Sequence, residues 1–137
     1  MKQLKTPLIL SLIIILLDQS TKYLFKGKII ILIPKILDIN YTTNTGAAFG
    51  ILKNYNLLLI LISIIVIYLC FKWLKNKSIH YLPLSFIIGG AIGNLIDRLT
   101  LGFVRDFIDF KIWPVFNLAD TFITVAILLI IYNHFKK

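Results

Sequence analysis

Four apolar runs, each close to the length that crosses a bilayer, limit this chain more than any other feature. A transmembrane helix needs roughly 20 consecutive, mostly apolar residues. The first run starts at Pro7 and continues through "DQSTKYLF" to about residue 25; the others cover about 56–73, 81–97 and 114–132. With 58% hydrophobic residues and a mean hydropathy of +0.88, the chain exceeds what the core of a soluble domain this size requires. The reading is one integral-membrane domain over residues 1–137. Lys2 and Lys5 resemble the charged start of a signal peptide, but no small-residue cleavage site follows, so the first run is read as an uncleaved span.

Four spans put both termini on one side. That side carries seven lysines (2, 5, 72, 75, 77, 136 and 137) in three short segments and no acid. The other side carries the remaining eight basic residues, so the raw count does not orient the protein. The density of the seven favours cytoplasmic termini. The net charge of +9 is scattered between apolar runs rather than gathered in a stripe, which argues for membrane-flanking charges and against nucleic acid. The single Cys70 excludes an intrachain disulfide.

Between the first two spans, about residues 28–55 are rich in β-branched residues and alternate locally, as in Ile39-Asn40-Tyr41. Asn44 and Gly46 mark a turn, and Ala47-Ala48-Phe49 could open a short helix. The expected fold is an all-α membrane protein: four transmembrane helices, with a small extracytoplasmic β-sheet cradle between the first and second.

All six acids are aspartates, at 18, 38, 97, 106, 109 and 120, and all fall on the outer side or in the outer ends of spans. Ionisable residues there are costly and suggest function. Asp18 and Lys22, four apart, share a helix face and read as an ion pair. Gly89 and Gly93 allow close helix approach, and that face turns polar at Asn94 and Asp97. Asp97 beside Arg98 reads as a local brace. Asn117, Asp120, Thr121 and Thr124 form one polar stripe, which must face protein or water rather than lipid. Asp120 lies about two turns in from Pro114, too deep for a simple cap. Asp106 sits on the connection that returns to the membrane, where it can meet Asp120 at one depth. Adjacent carboxylates cannot both ionise readily, so one can activate a water while the other donates a proton. Asp109 is set aside as interfacial.

Other chemistries fit less well. His80 and His134 fall in or beside the cytoplasmic segments, away from the aspartates. The serines lack a histidine base on their side. On residue types alone, an all-aspartate Mg²⁺ or Ca²⁺ site stays open.

In order along the chain, "LDQSTK" (17–22), "NTGAAFG" (44–50), "GNLIDRLTLGFVRDF" (93–107) and "FNLAD" (116–120) closely resemble the lipoprotein signal peptidases of bacteria, or signal peptidase II. The resemblance implies an aspartyl endopeptidase of the bacterial cytoplasmic membrane that cuts prolipoproteins just before the lipid-modified cysteine. It implies Asp106 and Asp120 as the catalytic dyad. Asp18, Lys22, Asn44, Gly46, Asn94, Asp97, Arg98 and Asn117 are the implied supporting positions. No metal or organic cofactor is expected. The expected partners are the lipid-modified precursor and membrane lipids, with the protein acting as a monomer. Arg105 departs from the apolar residue expected before Asp106: directed inward it would lower the Asp106 pKa, directed outward it would meet lipid headgroups. Without the motif set, a small transporter or channel component using the aspartate stripe is the alternative, followed by a non-catalytic assembly protein.

Overall fold

The computed structural model describes residues 2–46, 52–76 and 79–136. Its elements run α1 (Lys2–Leu24), β1 (Ile29–Ile33), β2 (Leu37–Asn44), α2 (Asn56–Asn76), α3 (Tyr81–Leu101), β3 (Val104–Phe110) and α4 (Leu118–Phe135). All four helices are long and apolar enough to cross a membrane. The expected helix at Ala47–Phe49 lies outside the described residues.

Helix α3 is the centre of the bundle. It is the most buried of the four and packs against α1, α2 and α4. Its glycines explain how. A β-carbon at Gly89 would lie 2.8 Å from the Ile14 side chain, one at Gly93 2.5 Å from Asp18 Oδ2, and one at Gly90 2.6 Å from the Ala119 carbonyl. Gly89 and Gly93 therefore admit α1, and Gly90 admits α4. With no hydrophobic force between helices in lipid, close packing of this kind and interhelical hydrogen bonds hold the bundle together. The Ser11 hydroxyl adds to it, lying 3.0 Å from the carbonyls of both Pro7 and Ser85. Cys70 and Leu74 of α2 pack on Leu84 and Ile88 of α3. The outward faces keep exposed side chains such as Leu12, Leu16, Leu61, Ile65 and Leu128, which suit a hydrocarbon solvent.

The sheet differs from expectation in one respect. It has three antiparallel strands in the order β1-β2-β3, and the third comes from the α3–α4 connection rather than from the segment between α1 and α2. "VRDFIDF" forms the outer strand against β2, and its pairing satisfies backbone groups that an unpaired connection would leave open. Gly102 makes the join. It caps α3 at φ 83°, a left-handed conformation that favours glycine, and its N–H donates to the Arg98 carbonyl. Strand β3 starts two residues later.

Helix α4 also starts later than the apolar run suggests, at Leu118 instead of Pro114. After β3 the chain turns through a Trp113 N–H to Phe110 carbonyl bond of 2.8 Å, and Phe116 pairs back onto Ile108. Asn117 then caps the helix in a capping box with Asp120. Asp120 is thus the third residue of α4, in its first turn, and not two turns deep.

Candidate active site

Asp106 and Asp120 reach one place by different routes. Asp106 projects from β3 and Asp120 from the first turn of α4, and both line a cavity of about 1140 Å³. Both carboxylates are held by amides. Asp106 accepts from Asn117 Nδ2 at 2.7 Å and from Asn44 Nδ2 at 3.0 Å. Asp120 accepts from Asn94 Nδ2 at 2.8 Å and from the Asn117 backbone N–H at 3.2 Å. Each oxygen thus has one named donor and keeps a further lone pair for a proton or a water. Asn117 serves both aspartates and makes them one unit. Asp120 also sits where the helix N-terminus favours negative charge.

Burial and then the charge of Asp120 push the Asp106 carboxyl up to about 7, against the pull of Asn44 and Asn117. Burial is the larger of the two causes, and the neighbouring carboxylate adds to it.

Behind the pair lies a buried charged cluster. The Lys22 ammonium, fully buried, meets Asp18 at 2.8 Å, Asp97 at 3.4 Å and Asn94 Oδ1 at 2.9 Å. Its three N–H donors therefore have three acceptors. Because Asn94 Oδ1 takes the lysine and Asn117 Nδ2, its Nδ2 must point to Asp120, which fixes that amide's orientation. Asp18 also accepts from the Ala119 N–H at 3.0 Å, tying α1 to the start of α4. Gln19 donates to Asp97 and to the Gly93 carbonyl. Two aspartates, Lys22 and Arg105 leave the cluster electrically balanced.

The expected Asp97–Arg98 brace is not what forms. Asp97 pairs with Arg105 and Lys22, while Arg98 Nη2 donates to the Gly46 carbonyl at 3.1 Å and lines the cavity. Neighbours on a helix point about 100° apart, so Asp97 faces α1 and Arg98 faces the sheet. Arg105 adopts neither orientation considered from sequence. Alternation along β3 sends it away from Asp106 to Asp97, whose carboxylate raises its pKa further. Gln19 went unassigned from sequence, although it lies beside Asp18 and three residues from Lys22 on the face that meets α3.

Asp109 stands apart. It pairs with Lys111 at 2.8 Å and accepts from Asn40 at 3.0 Å, which together hold its carboxyl below the usual range. Lys111 also reaches Asp38 at 2.6 Å, forming a small polar corner on the sheet. The remaining expected residues, Asp18, Lys22, Asn44, Gly46, Asn94, Asp97, Arg98 and Asn117, all join the network around the pair. The cavity continues from its polar end along apolar walls that include Phe116, Ile123 and Val125. Among the described residues, no group of three or more His, Cys, Asp or Glu is arranged to hold a metal.

Residues 10–136 match the family model described as signal peptidase (SPase) II. The lipoprotein signal peptidase of Halothermothrix orenii is 46% identical over 133 residues, covering 90% of this chain and 92% of that one. The lipoprotein signal peptidase of Caldanaerobacter subterraneus subsp. tengcongensis is 44% identical over 128 residues, covering 87% and 88%. Among solved structures, a bacterial membrane enzyme determined by the in meso method at 2.3 Å resolution superposes with a TM-score of 0.88 at 32% identity, covering 96% of this chain and 88% of the other. A second such enzyme, at 1.9 Å resolution, gives a TM-score of 0.85 at 32% identity, with 96% and 94% covered.

Proposed function

The chain belongs to the signal peptidase II family and is a membrane aspartic peptidase, and on that footing we propose that it cuts prolipoproteins just before the diacylglyceryl-modified cysteine, using a water held between Asp106 and Asp120. The observation that carries the proposal is the shared environment of the two carboxylates, joined through Asn117 and opening on one cavity.

The chemistry follows from the pair carrying one proton. The ionised carboxylate takes a proton from the water, which attacks the scissile carbonyl carbon. The protonated carboxyl donates to the carbonyl oxygen as the tetrahedral intermediate forms. A proton then passes to the leaving amine and the carbon–nitrogen bond breaks. The products are a carboxylate on the signal peptide and a free amine on the lipid-modified cysteine, and the pair returns to its starting charge. Asn44, Asn94 and Asn117 keep the two carboxyls oriented throughout, which limits reorganisation in the transition state. The apolar walls of the cavity suit the acyl chains and the signal helix, while Asn44 and Arg98 offer polar contacts at the cut.

The purified protein is expected to cut a diacylglyceryl-modified precursor and to leave the same precursor without its lipid essentially intact. Mass analysis of the products checks both the bond and the dependence on lipid. Failure to cut the lipidated form by folded protein would remove the proposed substrate.

The sheet end of the bundle is placed on the outer surface, with both termini in the cytoplasm. This rests on the dense lysines of the terminal segments and on the absence of acid there. A single thiol introduced at Lys53, on the sheet side, is expected to react with an impermeant reagent in intact cells. Reaction only after the cells are opened would reverse the topology.

A further inference from the structure

Arg105 is the one cation of the buried cluster contributed by the sheet, and it directly precedes Asp106. Its backbone N–H donates to Asp97 Oδ2 at 2.9 Å and its Nε to the same oxygen at 3.1 Å. Nη2 reaches Asp97 Oδ1 at 2.6 Å and Gln19 Oε1 at 2.7 Å. The acceptors are themselves fixed, because Gln19 Nε2 donates to Asp97 Oδ1 at 3.1 Å and to the Gly93 carbonyl at 3.0 Å. A planar guanidinium in this forked arrangement defines direction as well as distance, which an ammonium does not.

The backbone bond fixes the main chain at residue 105 relative to α3. Helix α3 also carries Asn94, which holds Asp120. Both carboxylates are therefore referenced to one helix: Asp120 through Asn94, Asp106 through Asp97 and Arg105. The guanidinium also answers the Asp97 carboxylate, leaving Lys22 closer to Asp18 and Asn94 than to Asp97. Because side chains alternate across a strand, the clamp lies behind β3, and the cavity walls include Asp106 and Asp120 but none of Arg105, Asp97 or Gln19.

We infer that Arg105, gripped by Asp97 and Gln19, is a positioning residue that sets Asp106 against Asp120 without touching substrate. The inference rests on the dyad reading above. A reactant group misplaced by about 1 Å can lose on the order of 10²-fold in rate. The clamp should therefore act on kcat and leave KM alone.

The test measures kcat and KM for the wild type, R105M, R105K and D106N on one diacylglyceryl precursor in one detergent, each below its thermal midpoint. R105M is expected to lose about 10²-fold in kcat with KM within about twofold. Both variants keep the backbone N–H bond to Asp97, and R105K adds one charged contact that R105M lacks, so it is expected to recover part of the loss. With D106N inactive, a wild-type kcat in R105M, or a loss confined to KM, overturns the clamp alone. If R105M does not fold, R105K decides: reduced kcat at unchanged KM supports the clamp, and wild-type kcat overturns it. If D106N cuts normally, the dyad reading fails and the clamp falls with it.

Discussion

D106N and D120N are each expected to lower kcat/KM for the lipidated precursor by about 10³-fold or more, which is roughly 4 kcal/mol of transition-state stabilisation. Each substitution keeps size and removes one of the two proton carriers. Because the carboxyls act as a unit through Asn117, the double variant is expected to fall little further than either single one. The pH profile should carry the same signature. The Asp106 carboxyl stands at about 7, so the pair's last proton leaves as pH rises through that region, and activity falls on the alkaline side. On the acid side, a second proton neutralises the base and activity falls again. Stability follows from the sign of the shift. A carboxyl raised in the folded state from 3.8 to about 7 contributes most below its unfolded value and loses that contribution as pH rises through about 7. The thermal midpoint of the wild type relative to D106N is therefore expected to decline between pH 5 and pH 8. Melting curves at the two pH values check this, and an unchanged difference would remove the shared-proton description of the pair.

K22M is expected to be the most destabilising substitution outside the pair. Lys22 and Asp18 are fully buried, and the lysine meets Asp18, Asp97 and Asn94. Removing one partner leaves an uncompensated buried charge, at a cost of about 3–5 kcal/mol. Asp97 keeps Arg105, but Asp18 keeps only the Ala119 N–H and Gln19. Asn94 loses the shorter of the two bonds that orient its amide toward Asp120 and keeps only Asn117 Nδ2, so activity should drop as well. The double variant D18N/K22M removes both charges and is expected to regain much of the stability but not the full activity, because the Asn94 amide is then oriented by Asn117 alone. Thermal unfolding in detergent measures the first effect and turnover the second. A K22M protein as stable as the wild type would contradict the account of this cluster.

The sequence made the membrane fold legible because a bilayer leaves few alternatives: four apolar runs near span length, each ending in charge or aromatic residues, become four helices. It also made most site residues legible, because polar groups on otherwise apolar helices need partners. Asp18 with Lys22, Asn94 at the polar end of the glycine face, and the Asn117–Asp120 stripe were visible for that reason. Strand β3 was harder. "VRDFIDF" does not alternate cleanly between polar and apolar residues and reads as an interfacial connection, and only pairing with β2 makes it a strand. The start of α4 depended on capping, where Asn117 with Asp120 outweighs the apolar run from Pro114. The partner of Asp97 was not legible at all. Sequence adjacency favoured Arg98, whereas helix geometry turns Arg98 to the Gly46 carbonyl and the strand delivers Arg105 from eight residues away. Which cation meets which carboxylate is a long-range property of the packed bundle.

The two-aspartate peptidase is tested most directly by incubating the wild type and the folded D106N/D120N variant with one diacylglyceryl precursor and weighing the products. The wild type is predicted to release an intact signal peptide and a mature chain that begins at the lipid-modified cysteine, and the double variant to release neither. Cleavage by the double variant, or a cut by the wild type at a different bond, would contradict the account.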